Sequence, residues 1–238
     1  MTRHFGALIP STNTTIETEY TRLLPAEYQA HYGRLMTSST SKTPFSPPRD
    51  EDVDYQAKLL GTARVEIVTL IQTSASLFAD DYDADVTARM REASGVPAIT
   101  SAMAVGQAAR ALGARQVALV SPYSEPVNAR ARHYFEGKYG LSIVALEGFA
   151  ASDSYAIGQL GPENARDAFV RIDRPEIEAF IVPGGNFPTM VSIAGWEREF
   201  NKPVVTTNQA LIWAVLRQFG AATGIPGLGR LLQELPAG

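Results

Sequence analysis

Short, nearly unbroken apolar runs alternate along the chain with longer stretches in which apolar positions return every three to four residues. The runs at residues 5–10, 65–72, 97–100, 116–121, 142–146, 179–183 and 203–206 are almost wholly apolar, as strands covered on both faces should be. The stretches at 14–24, 50–64, 83–94, 102–112, 126–139, 162–172, 190–200 and 210–220 carry the helical period. Strand–helix alternation of this kind predicts an α/β fold with parallel sheets and right-handed crossovers.

The pattern repeats. Gly6-Ala7-Leu8-Ile9-Pro10-Ser11 corresponds to Val117-Ala118-Leu119-Val120-Ser121-Pro122, and Val68-Thr69-Leu70-Ile71-Gln72-Thr73-Ser74 to Phe180-Ile181-Val182-Pro183-Gly184-Gly185. Gly95-Val96-Pro97-Ala98-Ile99-Thr100-Ser101 corresponds to Lys202-Pro203-Val204-Val205-Thr206-Thr207-Asn208, and the helices that follow end at Gly113 and Gly220, the residue expected beyond a helix C-terminus. Three elements recur in order at a spacing of about 110 residues, too long for a solenoid. The expectation is a duplicated α/β unit, with an N-terminal half at 1–113 and a C-terminal half at 114–238. The tail from Ile225 onward has no counterpart and reads as an added packing segment. Residues 38–48, rich in Ser, Thr and Pro, are either an exposed loop or a flap over a site.

Composition narrows the chemistry. The 238 residues carry a net charge of -4, and no single-sign block stands out, so neither nucleic acid nor an anionic membrane is a natural partner. With no signal-like apolar run near the start and no long apolar span, a cytoplasmic protein is expected. There is no cysteine, which removes disulfides, thiolate metal sites and a thiol nucleophile. His4, His31 and His133 lack partners at metal-ligand spacing, and Asp80-Asp81-Tyr82-Asp83-Ala84-Asp85 lacks the glycine and closing glutamate of a calcium loop. No metal is expected.

Ligands of parallel α/β sheets bind beyond the carboxyl ends of the strands. There the chain places Pro10-Ser11-Thr12-Asn13-Thr14-Thr15, Gln72-Thr73-Ser74, Ser121-Pro122-Tyr123, Glu147-Gly148, Pro183-Gly184-Gly185-Asn186 and Thr206-Thr207-Asn208. Hydroxyls, amides and glycines at helix starts can cap helices or hold an anion. A small carboxylate is the natural guest.

Ile9-Pro10-Ser11-Thr12-Asn13-Thr14-Thr15-Ile16-Glu17, Gln72-Thr73-Ser74-Ala75-Ser76, Ser121-Pro122-Tyr123, Gly184-Gly185 and the closing Pro226-Gly227-Leu228-Gly229-Arg230-Leu231, in this order, resemble the aspartate/glutamate racemase superfamily, and within it the maleate cis–trans isomerase and arylmalonate decarboxylase branch. The resemblance implies two pseudo-symmetric Rossmann-like (flavodoxin-like) halves, a site at their interface and no cofactor. In that superfamily two thiols, one from each half, flank the substrate of racemases and isomerases; the decarboxylase keeps only the second. Those positions fall here on Gln72 and Pro183, and an asparagine expected in the isomerase falls on Ser154. Asn13, Thr73, Ser74 and Tyr123 match residues that hold substrate carboxylates and enolate-like oxygen. Ser11, Gly184, Gly185 and Asn208 complete the expected binding set.

Gln72 cannot titrate, and Pro183 offers neither a base nor a backbone N–H. Racemisation through two bases and isomerisation through a sulfur adduct are therefore set aside. One expectation is a cofactor-independent enzyme that hydrolyses or decarboxylates a small carboxylate or dicarboxylate, with Tyr123 as general acid, Glu147 as general base and Gln72 holding a water or a substrate amide. The alternative is a protein that binds a small dicarboxylate without chemistry. Trp196, Trp213 and the apolar tail are candidate surfaces for a homo-oligomer.

Overall fold

The computed structural model describes residues 2–36, 48 and 50–237, so all of the 38–48 segment except Pro48 lies outside the described residues. Eight strands form two four-stranded sheets. The first contains β1 (Arg3–Pro10), β2 (Tyr28–Leu35), β3 (Val68–Leu70) and β4 (Ala98–Thr100), in the order β2-β1-β3-β4. The second contains β5 (Gln116–Ser121), β6 (Ser142–Gly148), β7 (Ala179–Val182) and β8 (Val204–Thr206), in the order β6-β5-β7-β8. Every adjacent pair is parallel, and the two sheets share one strand permutation. The two-sheet α/β architecture expected from the alternation is present.

Among the described residues ten α-helices connect or follow the strands: α1 (Ile16–Leu23), α2 (Val53–Thr62), α3 (Tyr82–Ser94), α4 (Ser101–Ala111), α5 (Glu125–Tyr139), α6 (Ser154–Ile157), α7 (Pro162–Ile172), α8 (Ile193–Phe200), α9 (Thr207–Gln218) and α10 (Arg230–Glu234). Thr100 caps α4 by accepting from Met103 N at 3.2 Å. At the start of α9 the Gln209 side chain reaches back to accept from Thr206 N at 3.4 Å, so the paired hydroxyl-rich strand ends do start helices.

Helices α4 and α9 pack against each other and join the sheets. The buried residues of α4 include Ala102, Ala104, Val105, Gly106, Ala108 and Ala109; small residues keep the helix slim where it packs, and Gly106 makes room for the Tyr139 ring of α5. Residues Thr207 through Leu216 of α9 are all buried. One core cluster runs through both sheets, from Phe5, Ile9 and Ile71 to Leu119, Phe180 and Trp213. Burying the residues of both sheets in a single cluster removes apolar surface from water across the seam.

Strand β2 was not among the expected strands. It is an edge strand, and Gln29, His31 and Arg34 interrupt its apolar positions, leaving Ala30, Gly33 and Leu35 buried. The run at 65–72 contributes only Val68–Leu70 to the ladder; Glu66 near its start pairs with Arg3. The tail packs as expected: Leu231 and Leu232 are buried, and Pro236 O accepts from Trp213 Nε1 at 3.2 Å. Trp196 and Trp213 are buried in the chain's own core, so neither supplies the oligomer surface suggested from sequence.

Candidate functional site

In the order β2-β1-β3-β4 the chain leaves β1 in one direction and β3 in the other, which opens a crevice at their carboxyl ends. The second sheet does the same between β5 and β7. The two crevices face each other across a cleft, the kind of place where small molecules bind. Asn13, Gln72, Thr73 and Ser74 line it from the first sheet; Tyr123, Ser154, Gly184 and Gly185 line it from the second. Thr12, Asn186, Ile71 and Ile157 also line it. The sequence does not single these out as site residues, although Thr12, Ile71 and Asn186 sit inside its strand-end motifs.

A chain of hydroxyls forms the floor. Thr73 Oγ1 lies 2.9 Å from Ser101 Oγ and 3.3 Å from Thr207 Oγ1. Thr207 Oγ1 in turn accepts from Gly184 N at 2.9 Å. Ser101 and Thr207 are the first residues of α4 and α9, so the helices that join the sheets also carry the floor. The Tyr123 phenol stands beside Thr73; burial raises its pKa above the ordinary tyrosine value, against an opposing contact with Thr73. At neutral pH it remains a proton donor.

The wall from the second sheet requires glycine. Gly184 has φ 113°, and a Cβ on it would meet Pro122 Cγ at 2.9 Å. A Cβ on Gly185 would meet Ile71 Cγ2 at 2.4 Å, so a side chain there collides with the opposite sheet. Pro183 is buried and does not line the cleft.

Asn13 is more heavily engaged than the sequence suggested. Its Oδ1 accepts from Thr15 N at 3.0 Å and Ile16 N at 3.1 Å, and its Nδ2 donates to Gly185 O at 3.1 Å. The side chain thus caps α1 and ties the two loops together, leaving one amide hydrogen for a ligand. Asn186 answers from the other side: its Oδ1 accepts from Thr14 N at 2.8 Å and its Nδ2 donates to Ser154 O at 2.8 Å. By contrast, among the described residues the main-chain N–H groups of Thr73, Ser74 and Gly185 and the Gln72 carboxamide have no hydrogen-bond partner. Thr12 Oγ1 is buried without a partner. Among the described residues the lining contains no Asp, Glu, His, Lys or Arg.

Three expected site residues lie elsewhere. Glu147 is on β6, outside β5 in the sheet order, and Arg171 Nε donates to its carboxylate at 3.1 and 3.2 Å. A carboxylate so placed and so paired is not a general base for this cleft. Ser11 is exposed; its N–H donates to Leu35 O at 2.7 Å, and its carbonyl accepts from Arg34. Asn208 is buried behind the wall, where its Nδ2 donates to Gly185 O at 3.2 Å. Among the described residues no group of three or more metal-binding side chains converges, and no helix is long and apolar enough to cross a membrane.

A family model described as arylmalonate decarboxylase matches residues 5–232. The chain belongs to the arylmalonate decarboxylase family. The arylmalonate decarboxylase of Bordetella bronchiseptica is 31% identical, with 77% of this chain and 78% of that protein aligned. The maleate isomerase Iso of Pseudomonas putida S16, solved with maleate as a cysteine-to-alanine variant, superposes with a TM-score of 0.89 at 27% identity, covering 98% of each chain. The Nocardia farcinica maleate cis-trans isomerase, solved as a cysteine-to-serine mutant with a covalently bound succinylcysteine intermediate, superposes with a TM-score of 0.88 at 25% identity, over 98% of this chain and 99% of that one. The intermediate in that isomerase requires a sulfur atom. This member of the family has no cysteine.

Proposed function

We propose that this chain is a cofactor-independent, thiol-independent enzyme that removes a carboxyl group from a small dicarboxylate of the malonate type. The observation that carries the reading is the cleft itself: main-chain N–H groups without a partner among the described residues and a protonated phenol line a space whose described lining holds no thiol and no carboxylate. Such donors suit the negative charge of an organic acid without requiring a cation. Hydrolysis, the other reaction expected from sequence, fits less well. Activating a water needs a base, and Glu147, the candidate, is engaged with Arg171 outside the cleft.

Decarboxylation needs no base. The bond between the α-carbon and one carboxylate breaks, CO2 leaves, and the electron pair passes into the remaining carboxylate as an enediolate. The amides of Thr73, Ser74 and Gly185 stabilise that growing charge; each well-placed donor contributes about 3–4 kcal/mol. The Tyr123 hydroxyl gives its proton to the α-carbon and recovers one from water. Gln72 and Thr12 orient the substrate's second carboxylate or its substituent. Asn13, Ser154 and Gly184 shape and brace the pocket, with Ser11 and Asn208 supporting it from outside the lining.

The test is to incubate the purified protein with phenylmalonate and follow the mixture by NMR. Phenylacetate and CO2 are expected. A second reading, capture of a small dicarboxylate without chemistry, is favoured by Gln72 and Pro183, which supply neither nucleophile nor titratable group at the strand ends. Binding of phenylmalonate or maleate with no product establishes that reading; binding of neither removes both.

A further inference from the structure

One buried carboxylate outside the cleft lining joins the two halves. Glu19, on α1, is 9% exposed. Its Oε1 accepts from the main-chain N–H of Thr189 at 2.8 Å and of Met190 at 2.9 Å, and its Oε2 accepts from Asn208 Nδ2 at 2.7 Å. A carboxylate taken out of water needs such partners. A neutral glutamine could not replace it, because its amide nitrogen would face Asn208 Nδ2, donor against donor.

The same Asn208 Nδ2 donates to Gly185 O at 3.2 Å, where Asn13 Nδ2 also donates at 3.1 Å. With acceptors on both sides of its nitrogen, Asn208 has one workable orientation, and its Oδ1 is left buried and unpartnered. Turning the amide over would set that oxygen against the Glu19 carboxylate and the Gly185 carbonyl. The carboxylate therefore selects the face that Asn208 presents to the turn.

In a trans peptide the carbonyl and the following N–H point in opposite directions. Drawing the Gly185 carbonyl toward Asn13 and Asn208 sends the Asn186 N–H the other way. The preceding peptide is held similarly, with Gly184 O accepting from Phe187 N at 3.0 Å; this fixes the direction of the Gly185 N–H. Gly185 and Asn186 both line the cleft.

We infer that Glu19 is a positioning residue for the 184–186 turn: through Asn208 it fixes the direction of the Gly185–Asn186 peptide, and so of the Asn186 main-chain N–H that meets the ligand's negative charge. The inference rests on the reading of the cleft as an organic-acid site, and it adds a residue on the far side of the turn from the ligand.

The variants Glu19→Gln and Asn208→Ala, made in the full chain, test it. Phenylmalonate and maleate affinities are measured well below each variant's melting temperature, and the Gly185–Asn186 peptide is observed in a crystal structure of each variant. The expected result is a turned peptide and a Kd raised about tenfold in both. A lowered melting temperature with unchanged Kd assigns Glu19 a purely structural role and overturns the inference. Should Glu19→Gln fail to fold, Asn208→Ala leaves the Thr189 and Met190 bonds intact and decides alone. Should the wild-type chain bind neither acid, the functional reading fails, and the peptide orientation still judges the positioning claim: an unturned peptide overturns it.

Discussion

Replacing Tyr123 by phenylalanine separates the site's chemistry from its stability. The residue is 9% exposed, and the substitution keeps the ring while deleting one hydroxyl. No buried partner is stranded, because Thr73 Oγ1 keeps Ser101 at 2.9 Å and Thr207 at 3.3 Å. The stability change is then that of a single polar group, about 0.5–1.5 kcal/mol, or a few degrees in Tm for a chain of this size. The reaction loses both a proton donor and a donor toward developing charge. One such donor is worth about 3–4 kcal/mol at the transition state, a rate loss on the order of 10² to 10³. Phenylacetate formation by NMR, with a thermal melt on the same sample, reads both quantities. A well-folded Tyr123→Phe protein that retains a third or more of the wild-type rate removes Tyr123 from the proton transfer and refutes the proposed mechanism.

Further outcomes follow from the same geometry. Because Tyr123 is pushed above the ordinary tyrosine value by burial and the described lining has no carboxylate or histidine, kcat should be flat between about pH 6 and pH 9; a titration near pH 8 would point to a base that the account lacks. Gly185→Ala places a Cβ 2.4 Å from Ile71 Cγ2, and overpacking of that kind costs about 1–3 kcal/mol, so a lower Tm and loss of activity are expected, and an unperturbed, active protein would contradict the close approach of the sheets. His31, 2.9 Å from His4, has its pKa lowered from 6.5 by burial and then by His4. The unfolded chain therefore takes up the proton first as pH falls, and stability declines on acidification through that range; His31→Gln should flatten the dependence of Tm on pH below about 6.5, and an unchanged slope would exclude His31 as the cause.

Much of this arrangement was legible in the residues, and the exceptions have physical causes. The apolar runs at β5 and β7 leave little choice of face, whereas β2 is an edge strand in which Gln29, His31 and Arg34 stand among buried positions. The polar strand ends of β1, β3, β5 and β7 marked the cleft because strand order, once parallel, brings those four ends together. Glu147 also stands near the carboxyl end of a strand, but β6 lies on the outer side of β5, a placement that depends on sheet order rather than local sequence. Asn13 caps its own helix locally, and the partner that ties it to the other loop, Gly185 O, is 172 residues away in sequence. Glu19 left no local signal at all, since its partners Thr189, Met190 and Asn208 lie about 170 to 190 residues away, around the second sheet.

The central claim is that main-chain and hydroxyl donors from both sheets grip an organic acid with no sulfur taking part. Its most direct test is to add phenylmalonate to the isotopically labelled chain and watch amide resonances and product in one NMR experiment. The account predicts that the Thr73, Ser74 and Gly185 amides shift together while phenylacetate accumulates. Resonance changes confined to other surfaces, or a spectrum that the acid leaves untouched, would contradict it.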